Sequence, residues 1–312
     1  MLFGAKIYSE MTYYSIYFQV VFCFVLLHCS NGLDAQSCAR TPGYFANLGF
    51  DRTRSALSST ERKFVGVVLI ELSDVRNLQS ERTKLYQHPS WRSAGYVGAI
   101  ATDQVGNSYI LPKPTVNMEN NPEEHMHTVY RIDSKTGILD SFVKLPIQFH
   151  RSLQNVFGLM GSYYDCETQT LFVSTVAGSN AQQQLGQVYA IDVITRKTTQ
   201  ILDSTDILGL TLRKELTGDY RLYYGSARES IVYSIPLDKN FIATAGPKME
   251  IDINGIGPRG DDRVRKIRFQ SDGSMIATGT PFFYNLTPAA INPESNYVFI
   301  QNKESGVWEL YR

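Results

Sequence analysis

With 312 residues and 43% apolar content, this chain is long enough to bury one large core or two of ordinary size. Its 30 basic residues balance its 30 acidic ones, which excludes electrostatic attachment to nucleic acid or to an anionic membrane surface as its main business. Tyr (19) and Phe (16) are plentiful, charged helix-favouring runs are few and turn residues are evenly scattered, so the composition leans toward an all-β chain.

The first expected element is a targeting segment. Ser15 to Leu27 (SIYFQVVFCFVLL) is an unbroken apolar run with Lys6 and Glu10 ahead of it and the small and polar residues HCSNGLDAQS behind. Such a run is short for a bilayer span and suits the apolar core of a signal peptide. Residues 1–35 are therefore expected to be a signal peptide, cut after Gly32 or Ala35, and the mature chain to be secreted or extracytoplasmic with no membrane span. An uncleaved anchor is the alternative. Cys23 and Cys29 would leave with the signal; Cys38 and Cys166 would remain, either as one disulfide or as free thiols.

Residues 41–312 are expected to form a single closed domain of repeats. The segment from Thr41 to Ser59 is irregular, and FVGVVLIEL (Phe64 to Leu72) with TKLYQ supplies the last two strands of a first copy. The second copy runs GAIATD, SYILP, TVYRID, ILDSFVKL, and the third GLMGSYYD, LFVSTV, QVYAID, TTQIL. The fourth runs LGLTLR, RLYYGSA, IVYSIP and a strand near Lys248 to Ile253; the fifth runs VRKIRF, MIATG, YVFIQN, VWELYR. A period of roughly fifty to sixty residues with hairpin turns such as DQVGN, QSDGS, DSKTG and NKESG signals propeller blades. The expected fold is an all-β propeller of five or six four-stranded blades: the copies number five, and the length favours six. The terminal run VWELYR is available to close the ring.

Between the fourth and fifth copies, NGIGPRGDDRVRKIRF (Asn254 to Phe269) holds a G-x-G-x-x-G, an Arg259-Gly260-Asp261 triplet and a basic run. A dinucleotide fingerprint needs a helix after its glycines, whereas DDRVRKIRF reads as a strand. The triplet is weighed as a chance match, and the basic run as locally paired or solvated.

In a propeller the loops entering each first strand and those between second and third strands share one face, around the channel mouth. Entering loops offer His88 and Trp91; His150, Arg151 and Asn155; Asp203 and Asp206; and Arg259, Asp261 and Asp262. The long loop KPTVNMENNPEEHMH carries Glu123, Glu124, His125 and His127, a composition that suits metal ligands or plain solvation, with both histidines on one side if the segment is a strand. Two further loops carry Ser179 with Asn180, and Arg228 with Glu229. No G-x-S-x-G and no H-E-x-x-H occurs. Asn285-Leu286-Thr287 is a glycosylation sequon followed by Pro288.

The runs FGLMGSYYDCETQTLFVST with GQVYAID, and VRKIRFQSDGSMIAT, resemble blades of the senescence-marker-protein/gluconolactonase family and its strictosidine-synthase-like and paraoxonase-like relatives, over about Gly95 to Arg312. NHL-type and yellow/royal-jelly propellers share much of that grammar. The resemblance implies one divalent metal, calcium or magnesium, at the mouth, polarising a lactone or ester carbonyl and activating water. Family ligands stand just before the Gly-Leu of a first strand, where this sequence has Phe157 and Leu208. Asn155 and Asp206, a short step upstream, with Asp261 or Asp262, are the substitute ligands, and His150 or His125 the base. Two functions follow: a metal-dependent lactone or ester hydrolase, or a non-catalytic propeller binding a small molecule or a partner protein. A monomer is the expected assembly.

Overall fold

A computed structural model describes residues 38–311 apart from 62, 75, 77–79, 216 and 287–293. The expected signal peptide, its cleavage sites and the threonine of the sequon lie outside the described residues. No helix among the described residues is long and apolar enough to cross a membrane.

The chain folds into five antiparallel sheets taken in sequence order. A short helix α1 (Tyr44–Asn47) precedes the first sheet, formed by β1 (Ser55–Ser58), β2 (Val68–Leu72) and β3 (Arg82–Tyr86). Blade 2 holds β4 (Val97–Thr102), β5 (Ser108–Pro112), β6 (Thr128–Ile132) and β7 (Leu139–Lys144). Blade 3 holds β8 (Leu159–Asp165), β9 (Thr170–Thr175), β10 (Gln187–Asp192) and β11 (Thr198–Leu202). Blade 4 holds β12 (Ile207–Lys214), β13 (Tyr220–Ser226), β14 (Ile231–Leu237) and β15 (Lys248–Asp252). Blade 5 holds β16 (Arg263–Phe269), β17 (Met275–Thr280), β18 (Ser295–Gln301) and β19 (Trp308–Leu310).

The preference for six blades is thereby corrected to five. The irregular segment after Thr41 is spent on α1 and β1, and β1 joins β2 and β3 in one three-stranded sheet instead of seeding another blade. Tyr44, Phe45 and Phe50 fill the core under Trp91 and Ile132, so the helix plugs the side of blade 2. The run VWELYR does not cross to the first sheet: β19 pairs with β18 as the outer strand of its own blade.

Each blade forms because short alternating runs are punctuated by side chains that turn the backbone. At the end of each third strand an Asx turn starts the hairpin to the fourth. Asp133 Oδ1 accepts from the Lys135 and Thr136 amides, Asp192 Oδ1 from Ile194 and Thr195, and Asn302 Oδ1 from Glu304 and Ser305. The recurrent Asp after the tyrosine-containing third strand is thus a turn device.

Apolar clusters lie between neighbouring sheets: Tyr109, Phe142 and Tyr164 between blades 2 and 3, Phe172, Leu212 and Tyr224 between 3 and 4, Tyr223, Val264 and Trp308 between 4 and 5. Cys38 and Cys166 form a disulfide, resolving the open alternative and tying the strand-free start of the described chain to the β8–β9 turn.

The first strands β4, β8, β12 and β16 pack side by side. Each carries a bulge in its first half: the register shifts between Val97 and Ile100, Leu159 and Ser162, Ile207 and Gly209, and Val264 and Lys266. A bulge bends its strand and re-aims the unpaired residue. Close approach at this level depends on glycine, since a Cβ on Gly209 would stand 1.9 Å from the Arg265 carbonyl oxygen, backbone that cannot swing aside. Gly209→Ala is therefore expected to cost ~3 kcal/mol through overpacking, read as a lower urea midpoint at unchanged slope.

Candidate functional site

Loops of blades 3, 4 and 5 and a strap come together on the face where a channel mouth is expected. The bulged Met160 and Leu208 join Val156, Phe157, Val176 and Ala227 in a buried apolar patch. Over it lie Phe282, Tyr284 and Leu286, from the segment that leaves β17. The Val156 amide donates to the Tyr284 carbonyl at 3.1 Å, and the Phe282 ring sits 5.8 Å from Phe157 and 5.2 Å from Tyr284. Blade 5 thus sends a strap across to the loop entering blade 3, with which it is not consecutive.

Asp206, placed by the turn into β12, is buried with its side chain wholly covered. Oδ1 accepts from Ser179 Oγ at 2.5 Å and the Gly186 amide at 2.9 Å; Oδ2 accepts from Tyr284 Oη at 2.6 Å and Arg228 Nη1 at 3.3 Å. Burial, then the bond to this carboxylate, pushes the Tyr284 hydroxyl well above its ordinary range. Arg228 also donates to the carbonyls of Asn180 and Ala181, so one guanidinium stitches blade 4 to the long β9–β10 loop.

Asp262, ahead of β16, repeats the arrangement. Arg259 clamps it with Nε on Oδ1 at 2.6 Å and Nη2 on Oδ2 at 2.7 Å, and Tyr297 Oη donates to Oδ2 at 2.8 Å. Burial pushes this carboxyl up, but the bonds from Arg259 and Tyr297 outweigh it and hold the group below the usual carboxylate range. Asp261 faces solvent, and its carbonyl accepts from Arg263. Asn155 is buried and spends its amide on the loops, Nδ2 donating to the Val176 carbonyl and Oδ1 accepting from the Phe157 amide.

The expected ligand set is therefore not drawn together, and among the described residues no three His, Cys, Asp or Glu gather as metal ligands would. His150 is 87% exposed and its Nδ1 bonds Glu123 Oε1 at 2.7 Å. That bond holds the Glu123 carboxyl below its ordinary range. His125 ends a short 3-10 turn (Glu123–His125) and packs edge-on to Tyr130; His127 is buried with Nε2 on the Phe149 carbonyl. Because the segment is a turn and β6 begins only at Thr128, the two histidines do not share a strand face. His88 caps the 3-10 turn Pro89–Ala94, and Trp91 is a core residue donating to the Gly137 carbonyl.

The glycine motif also finds its place. Gly255, Gly257 and Gly260 all have positive φ in a loop closed by the Gly255 amide on the Gly260 carbonyl, and a strand follows where a dinucleotide fold needs a helix. Arg259 of the Arg-Gly-Asp triplet is committed to Asp262 and Ser295.

Missed from the sequence is a set of cations at the mouth. Lys113 leaves β5 with its aliphatic stem against Gly98 and its ammonium 5.4 Å from the Phe157 ring centre. Burial, then Arg265, pull Lys113 down to about 7, with Glu294 opposing. Arg265 is the bulged residue of β16 and pairs with Glu294, which Lys266 reaches at 3.5 Å. Reading VRKIRF as a solvated edge misses this, because nothing local marks which residue of a strand is bulged.

No protein-family model and no curated protein sequence matches this chain. Solved structures that resemble it include regucalcin, a calcium-binding protein from Agrobacterium tumefaciens, at 14% identity over 80% of this chain and 72% of that one, TM-score 0.45. A luciferin-regenerating enzyme is 10% identical over 80% of this chain and 87% of its own, TM-score 0.44. An endo-arabinase from Bacteroides thetaiotaomicron is 14% identical over 66% of this chain and 75% of its own, TM-score 0.41. At these identities and scores the likenesses carry no argument about activity, and the propeller assignment rests on sheet topology.

Proposed function

We propose that this chain is a secreted, non-catalytic propeller that binds a small molecule at the mouth of its channel. One observation carries the reading: the two buried carboxylates of the mouth, Asp206 and Asp262, are each closed by an arginine and a tyrosine. A hard divalent ion needs several oxygen ligands with free lone pairs converging on it. Asp206 meets four donors, Asp262 three and Asn155 offers its oxygen to a backbone amide, so these residues do not fit the ion that the family resemblance implies. Long loops gathered on one face, over a packed apolar base, are suited instead to recognition. Secretion is supported by the apolar run at Ser15 to Leu27 and by the Cys38–Cys166 disulfide, which persists in oxidising compartments.

The test pairs elemental analysis of the purified chain, dialysed against trace calcium, with a lactone and ester panel and a small-molecule screen followed by amide NMR. Expected are no stoichiometric divalent ion, no turnover, and hits that shift the amides of Phe157, Leu208 and Tyr284. A stoichiometric ion and hydrolysis, both lost in Asp206→Ala, overturn the reading in favour of a metal-dependent hydrolase. Hits confined to the outer strands overturn the placement of the site.

A further inference from the structure

We infer that the mouth holds an anion site formed by Lys113, Arg265 and Lys266, which takes a small organic acid with an apolar body and a carboxylate or sulfonate head. This rests on the mouth-binding reading above and adds the ligand's charge and shape.

Lys113 of blade 2 lies close enough to Arg265 of blade 5 to feel its charge, although the two blades are not consecutive in the chain, and Lys266 shares the Glu294 carboxylate with Arg265. Among the described residues one carboxylate, Glu294, stands within their reach, and it is shared between Arg265 and Lys266. Below about pH 7, where Lys113 carries its proton, two positive charges are left without a countercharge in a partly buried place. Burying a cation is unfavourable unless an anion or a set of acceptors meets it.

One donor shows the same deficit at the atom. Arg265 Nε is buried with no acceptor among the described residues. Lys113 is half-buried, and its ammonium lies over the face of Phe157. Unsatisfied buried donors are rare in folded proteins and point to a missing ion or ligand. A guanidinium offers a planar head a pair of parallel hydrogen bonds, and an ammonium adds charge from the other side.

The backbone holds the arrangement. At the bulge level blades 3 and 4 place the apolar Met160 and Leu208, while blade 5 places Arg265 at its single bulged position. Gly98 leaves room for the Lys113 stem to lie along β4. Phe157, flanked by Lys113 and Phe282, supplies the apolar wall that an organic acid has and an inorganic ion lacks.

The probe is benzenesulfonate, an anion at every working pH, titrated calorimetrically into the full chain at fixed ionic strength, with amide NMR to locate it. Benzyltrimethylammonium and benzyl alcohol are the cationic and neutral counterparts. Sulfonate binding is expected to shift the amides of Lys113, Phe157 and Arg265 and to weaken at least tenfold in Lys113→Met and in Arg265→Met, with Arg265→Lys retaining part of it. It is also expected to tighten about tenfold from pH 8 to pH 6 as Lys113 takes up its proton. The charged groups facing Lys113 are Arg265 and Glu294, with Lys266 behind Glu294, and the Lys113→Met variant removes the pH dependence. Lys113→Met deletes a partly buried charge while keeping an apolar stem, so it tests the site without threatening the fold.

Binding of the cationic or neutral probe at the mouth without the sulfonate overturns the anion site and leaves mouth binding standing. Sulfonate affinity unchanged in both methionine variants overturns the residue assignment. No probe bound at the mouth overturns both readings.

Discussion

Asp206→Ala lowers the unfolding free energy by ~3–5 kcal/mol, the cost of leaving a buried charge without its partner. The side chain is fully covered, and its two oxygens gather donors from four separate places: Ser179, Gly186, Arg228 and Tyr284. Alanine takes an acceptor from all four; Arg228 keeps the carbonyls of Asn180 and Ala181 but loses its countercharge, and each buried donor left without an acceptor carries its own desolvation penalty. Asparagine keeps the shape but turns an amide group toward donors whichever way it faces, so it recovers part of the loss. The double variant Asp206→Ala/Arg228→Met falls short of the sum of its singles, because the guanidinium that alanine strands is gone. Chemical denaturation of the four proteins measures the cycle; additive effects would show that Arg228 and Asp206 do not act as a pair.

Removing the disulfide has the other large effect. Cys38→Ser frees a loop whose ends are 128 positions apart in sequence, and loop-closure entropy puts the loss near the top of the ~2–5 kcal/mol range for native disulfides. Thermal unfolding of the oxidised chain, of the same chain under dithiothreitol and of the Cys38→Ser variant provides the check. The reduced chain and the variant should melt together, about 10 °C below the oxidised chain, and the variant should not respond to dithiothreitol. A variant that melts with the oxidised chain would mean that Cys38 and Cys166 do not hold the start of the domain.

Four of the five blades were legible because their determinants are local. Alternating runs such as SYILP and LFVSTV set strands, and Asp133, Asp192 and Asn302 set turns from within a few residues. The first sheet was obscure where locality fails: Tyr44 and Phe45 form a helix because a hollow beneath Trp91, formed by distant chain, accepts their rings.

The site divides in the same way. Asp206 and Asp262 stood out as carboxylates near the mouth, yet what decides their chemistry is their partners. Tyr284 is 78 residues from Asp206 and Arg228 is 22 away, separations across which no pattern can be read. Arg259 is three residues from Asp262, and there the pairing was local enough to read but was overshadowed by the triplet it belongs to. Bulges were invisible for a further reason: a single extra residue changes which side chain faces the axis without changing the alternation on either side.

The strap from Phe282 to Leu286 makes the opening of the propeller part of its framework. Blades that touch only their neighbours in the chain can shift cheaply past one another; a tie between two that are not consecutive resists that. By fastening blade 5 to the Val156 amide and to the Asp206–Arg228 pair, the chain couples the spacing of three blades to one short segment. Whatever displaces that segment frees blades 3, 4 and 5 to move against one another, and whatever fits beside it meets a spacing already set.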